Sequence, residues 1–161
     1  MTNVHIVLGS ANDLDAVKAA AVVNTLSEIG LTSSVSVCSA HRNLPELESF
    51  TQTAIKNGVQ VFIGVAGMAA ALPGALAGLS GMEIPIIGVP LDDHGVDSCL
   101  YTPPGVPVLL TGVGVAGLKN AALATAQIIA VGDSKVAAGL AKYLQAHKKS
   151  VKFDINITEV A

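Results

Sequence analysis

The sequence predicts an α/β fold in a single domain, with a parallel sheet held between two layers of helices. Short apolar runs of strand length alternate with longer segments whose apolar residues recur at helical spacing. Glycines punctuate the joins, at positions 9, 30, 58 and 67. The chain of 161 residues is one ordinary domain, large enough to bury a core.

Taken in order, Val4–Leu8 is an apolar run that stops at Gly9, as a buried first strand would. Ser10, Asn12 and Asp13 then offer N-caps to a helix marked by Leu14, Val17, Ala21, Leu26 and Ile29, with Gly30 as its stop. Residues 35–38 are a second strand. Pro45 suits the first turn of the next helix, whose buried face is Leu47, Phe50, Ala54 and Ile55 and which Gly58 closes. A third strand covers 59–65. The helix over 69–79 is rich in small residues, and Pro73 makes it kinked or late in starting. Residues 84–89 are a fourth strand, 90–98 a polar loop and 106–111 a fifth strand. Helices over 118–130 and 134–148 complete the domain, residues 1–149. The tail, 150–161, alternates with period two over 151–157, as an added edge strand or an arm on a neighbouring subunit would.

Composition excludes several classes of function. Only 13% of residues are charged and 51% are hydrophobic, against about a quarter charged in ordinary soluble proteins. Residues 58–82 carry no charge at all, yet glycines and Pro73 interrupt them, so no membrane-spanning helix is expected. Burial between subunits explains the low charge, and a homo-oligomer is expected. A net charge of -3 without a basic cluster argues against nucleic acid as a partner. The start reads as a strand and not as a secretory leader, and Cys38 and Cys99 have no paired spacing, so a cytoplasmic setting with reduced thiols is expected.

Loops that follow parallel strands share one edge of the sheet, where ligands bind. Residues 9–13 suit an anion: a glycine, a hydroxyl, then a helix start with free N–H groups. Asp13 fits a plain cap or a ligand for two vicinal hydroxyls. In residues 39–42, Arg42 is the only arginine of the chain, and His41 stands beside it. A guanidinium offers a planar fork to phosphate or carboxylate, and an imidazole moves protons near neutral pH. The glycine pattern at 112–117 matches a dinucleotide fingerprint but follows the fifth strand, with no acidic strand after it, and is read as a plain turn. The histidines stand at no ligand spacing, so no metal is expected. A Gly-x-Ser-x-Gly elbow is missing as well.

In that order, Gly9-Ser10-x-x-Asp13, Ser39-Ala40-His41-Arg42, Ala69-Ala70-Ala71-Leu72-Pro73-Gly74, Asp97-Ser98, Gly105-Val106-Pro107-Val108 and Lys119-Asn120-Ala121-Ala122-Leu123 resemble the PurE family. Those are the small carboxyaminoimidazole ribonucleotide mutases and aminoimidazole ribonucleotide carboxylases of purine synthesis. The resemblance runs nearly to residue 130. It implies a flavodoxin-like αβα sandwich, assembled as an octamer, without metal or organic cofactor. It implies a ribonucleotide and CO2 as substrates, with Ser10, Asp13, Ser39 and Arg42 gripping ribose phosphate and His41 as acid and base. Gly9, Ala40, Gly67, Met68, Ala71 and Leu72 complete the implied substrate site, and small residues over 67–74 would wall a pocket that keeps CO2 from escaping.

The chain departs from the bacterial mutases at several points. Ala71 stands where they usually carry a third-loop histidine, and Asn12 replaces a usual serine. Leu44 is an extra residue before Pro45, and the segment between Asp97 and Gly105 is shorter. Ala66-Gly67-Met68-x-x-Ala71-Leu72-Pro73 is more similar to the related carboxylase of nickel-pincer nucleotide synthesis. His94 is read as a solvated loop side chain. The expected activity is the mutase reaction. The alternatives are aminoimidazole ribonucleotide carboxylation, carboxylation of another nucleotide, and a non-catalytic nucleotide-binding oligomer. Retention of His41 beside Arg42 favours catalysis, because phosphate binding needs only the arginine.

Overall fold

A computed structural model describes residues 2–149. Five parallel strands run in the order β2-β1-β3-β4-β5: β1 (Val4–Leu8), β2 (Ser33–Val37), β3 (Val61–Ala66), β4 (Ile86–Pro90) and β5 (Leu109–Leu110). This is the flavodoxin-like order. The two central strands β3 and β4 are buried along their whole length, and their near-continuous Val, Ile and Ala runs are what two covered faces require. Edge strand β2 is half exposed and correspondingly richer in serine.

Helices cover both faces. On one lie α1 (Leu14–Ala19), α2 (Val22–Ile29), α6 (Gly114–Ala130) and α7 (Ser134–Ala146), packed through Ile6, Leu8, Leu26, Ile63 and Leu118. On the other lie α3 (Leu44–Lys56), α4 (Leu72–Leu79) and α5 (Val96–Leu100), packed through Val7, Leu47, Phe62, Leu76 and Ile86. The sequence-expected layers and parallel sheet are all present. The expected tail, 150–161, lies outside the described residues.

Several elements differ from expectation, each for a physical reason. The first helix is two, because Ala20 and Val22 are both buried and a continuous helix turns them to opposite sides. Ala21 takes a left-handed conformation, φ 52°, and lets both reach the core. The helix after β3 is not one of them: it starts late, at Leu72 with Pro73 in its first turn, as the proline leads one to expect. The polar loop at 90–98 contains a 3-10 turn (Asp93–Gly95) and runs into α5, which buries Cys99. Strand β5 keeps only two residues, since Pro103, Pro104 and Pro107 remove ladder donors just before it.

Helix α6 begins at Gly114, four residues earlier than expected, so the glycine pattern lies across its first turn. A methyl at Gly117 would collide with the Gly112 carbonyl group. The glycine serves turn-to-helix contact. Replacing Gly117 by Ala should therefore cost about 1–3 kcal/mol by overpacking, although Ala gains roughly 1 kcal/mol of helix propensity. Chemical denaturation of Gly117→Ala measures the difference, and a midpoint at or above that of the parent chain excludes this role.

Candidate active site

Strands β1, β2 and β3 end in step, with Leu8 opposite both Val37 and Val65. One further hydrogen bond on each side carries the ladder into the loops: Cys38 N–H to the Leu8 carbonyl and Gly9 N–H to the Val65 carbonyl, both 2.9 Å. The helices after β1 and β3 then leave toward opposite layers, and the crevice between them opens into a cavity of about 450 Å³.

Three loops line it. From the first come Gly9, Ser10, Asn12 and Asp13. The Asp13 carboxylate accepts the Ser10 N–H at 2.9 Å, while the Ser10 hydroxyl accepts the Asn12 N–H at 3.3 Å, closing a capping box at the start of the turn. The plain cap foreseen for Asp13 is thus present, and its residue still faces the cavity. Burial pushes the Asp13 carboxyl up from its ordinary value, and the charge of Asp92 adds to this, against bonds from the Ser10 and Gly9 N–H groups that lower it.

From the second loop come Ser39, Ala40, His41 and Arg42, in a single turn closed by a 2.8 Å bond from Asn43 N–H to the Ser39 carbonyl. Ser39 is buried, whereas His41 and Arg42 are exposed at the mouth. The Ser39 hydroxyl, the His41 ring and the Arg42 guanidinium have no side-chain partner among the described residues. All three residues line the cavity with these groups unclaimed. Cys38, just before this turn, points its thiol at the Asn43 carbonyl at 3.7 Å; burial pushes that thiol up, and Glu46 adds to the effect.

The third loop contributes Ala66, Gly67, Met68, Ala69, Ala70, Ala71 and Leu72. Met68 and Ala70 both have left-handed backbones, φ 55° and 41°. Such residues cost about 1–3 kcal/mol each and persist only where neighbours over-determine them. Here the neighbours include the loop after β4: Leu91 N–H bonds the Ala66 carbonyl at 2.9 Å, and the Asp92 carboxylate accepts Met68 N–H at 2.9 Å.

All eleven site residues expected from the sequence therefore meet at one cavity. The loop at 90–98, expected at the same edge because it follows a strand, does not line it, and exposed His94 stays away, as a solvated side chain. Asn12 was visible in the sequence only as a possible N-cap and as a substitution in the first motif. Ala66, Ala69 and Ala70 carry no functional group that spacing could flag. The arrangement offers a guanidinium and capped helix start for a phosphorylated group, a neighbouring imidazole for proton transfer, and an apolar wall.

The sequence model of the AIR carboxylase family matches residues 3–150. The N5-carboxyaminoimidazole ribonucleotide mutase of Pyrococcus abyssi is 39% identical over 155 residues, 92% of this chain and 86% of that protein. The protein of the same name from Escherichia coli (strain K12) is 41% identical over 140 residues, 83% of this chain and 80% of its own. Among solved structures, Treponema denticola PurE superposes with a TM-score of 0.78 at 25% identity, covering 89% of this chain and 90% of that one.

The raised Asp13 carboxyl has a sign that can be checked. Above its ordinary value of 3.8, the folded chain holds a proton that the unfolded chain has released. The Asp13 contribution to stability is therefore present at lower pH and lost as pH rises through the raised value. Asn can keep the cap without the charge. The melting temperature of Asp13→Asn relative to the parent should rise with pH across that window and then level off; a relative fall contradicts the assignment.

Proposed function

This chain belongs to the AIR carboxylase (PurE) family, and we propose that it is an N5-carboxyaminoimidazole ribonucleotide mutase, moving a carboxyl group from N5 to C4 in purine synthesis. The observation that carries this reading is the unpartnered pair His41 and Arg42, set in the same cavity as the capped turn of Ser10 and Asp13. Phosphate recognition alone needs no imidazole beside the guanidinium.

In this reading Arg42, Ser10 and Ser39 hold the ribose phosphate and Asp13 a ribose hydroxyl. His41 is the catalytic acid and base. The N5–carboxyl bond breaks, its electron pair stays on nitrogen, and nitrogen takes the proton of the His41 imidazolium. CO2 is freed against the wall formed by Gly67, Met68, Ala71 and Leu72, with Gly9 and Ala40 leaving room for the ring. C4 attacks the CO2 carbon, and the neutral His41 removes the C4 proton, restoring both the aromatic ring and its own charge. Holding CO2 beside C4 replaces a bimolecular encounter by a positioned one. The reaction asks for no metal or organic cofactor.

The same reading places the chain in the cytoplasm as a homo-octamer. Leu100, Tyr101 and Leu109 are 52%, 75% and 46% exposed, more apolar surface around α5 and β5 than a monomer comfortably leaves to water. Sedimentation equilibrium should return a discrete assembly of several copies, and a monomer at micromolar concentration contradicts it.

Purified protein given the N5-carbamate labelled with ¹³C should deliver label to the C4 carboxylate. His41→Asn should reduce turnover by about 10²-fold or more while ribonucleotide affinity stays within a few-fold. Turnover only from aminoimidazole ribonucleotide and bicarbonate makes the protein a carboxylase. Absence of turnover from either substrate defeats the carboxyl-transfer reading.

A further inference from the structure

Asp92 follows β4 by two residues and does not line the cavity. Its carboxylate nevertheless binds two backbone amides from different loops. Oδ1 accepts His94 N–H at 3.0 Å, capping the turn Asp93–Gly95. Oδ2 accepts Met68 N–H at 2.9 Å, in the loop that walls the cavity. The turn that follows closes on the same loop from a second side. A methyl built on Gly95 would lie 2.5 Å from the Ala70 Cβ and 3.0 Å from the Met68 carbonyl oxygen. A charge-assisted bond at one end and a side-chain-free Cα at the other thus grip the two left-handed residues, Met68 and Ala70.

Released from that grip, the loop loses two of the contacts that hold its strained residues. Left-handed backbone at Met and Ala is unfavourable on its own, and the 73% exposed Met68 side chain supplies little packing to oppose relaxation. That wall of the cavity would then shift or widen. We propose that Asp92 is a positioning residue for the carboxyl transfer: through Met68 it fixes the wall that holds the migrating carboxyl group against His41. This rests on the reading of the site given above. Ribose phosphate, by contrast, is met by the first two loops, to which Asp92 makes no hydrogen bond and which it reaches only through its charge near Asp13.

The competing role, a cap for its own turn, is separable by one substitution. Asn caps as well as Asp, so Asp92→Asn keeps an oxygen for His94 N–H and turns an NH2 group toward Met68 N–H. Turnover should fall by about tenfold or more, as a wall misplaced by a fraction of an ångström requires. Ribonucleotide affinity should stay within about threefold, a loss in kcat without a matching loss in binding. Amide hydrogen exchange should speed up at Met68 and not at His94. Gly95→Ala, which displaces Ala70 without altering charge or cap, should give the same separation of kcat from affinity, and it decides the matter if Asp92→Asn does not fold. Parent-like kcat and Met68 exchange in Asp92→Asn, or parent-like kcat in Gly95→Ala, overturn the proposal. Should the parent chain itself fail to turn over, the reaction reading falls alone, and Met68 exchange still reports whether Asp92 holds the loop.

Discussion

Everything at the cavity depends on β1 being hydrogen-bonded in register between β2 and β3. The shared register makes the three strands end at one level. The bonds of Gly9 and Cys38 then fix where each loop leaves. A slip of one residue would turn every side chain to the other face of the sheet, and the three loops would no longer converge. The burial of Val4, Ile6, Val7 and Leu8, all 0% exposed, is what forbids that slip. Hydrophobic burial deep in the sheet therefore sets the position of polar groups at its rim.

Around that frame, polar groups are divided by burden. Asp13 and Asp92 spend their oxygens on backbone amides and so shape the loops. Ser39, His41 and Arg42 spend none on side chains among the described residues. The two carboxylates also sense one another, since the charge of Asp92 helps raise the Asp13 carboxyl. Strain sits in the third loop alone among the three lining loops, at Met68 and Ala70. That is the loop whose side chains offer only apolar surface.

The sequence was most legible where local chemistry and burial agree. Strand β1 and the start of α7 stand where periodicity and caps put them, and the glycine, serine and arginine of the first two loops announce themselves by type. Legibility failed where a distant contact decided the outcome. The break at Ala21 answers to two core positions that local spacing cannot reconcile. Helix α5 exists because Cys99 is buried beside Gly88, a neighbour only in the fold. Asp92 read as one acid in a polar loop, since its link to Met68 spans 24 residues. Three of the four missed lining residues, Ala66, Ala69 and Ala70, are alanines, which present a methyl and a backbone and no functional group to single them out within a motif.

One neighbour of the site carries a consequence for its durability. Cys38 is a single peptide bond from Ser39, so the turn bearing the imidazole and guanidinium has a sulfur at its root. Burial, and after it the nearby Glu46, push that thiol up from its ordinary value and so disfavour the thiolate. Alkylating agents and peroxides react through the thiolate, and there is little of it to find. A nucleophile that would otherwise compete for electrophilic carbon, or lock the turn by oxidation, is held chemically quiet by the same packing that seats the turn.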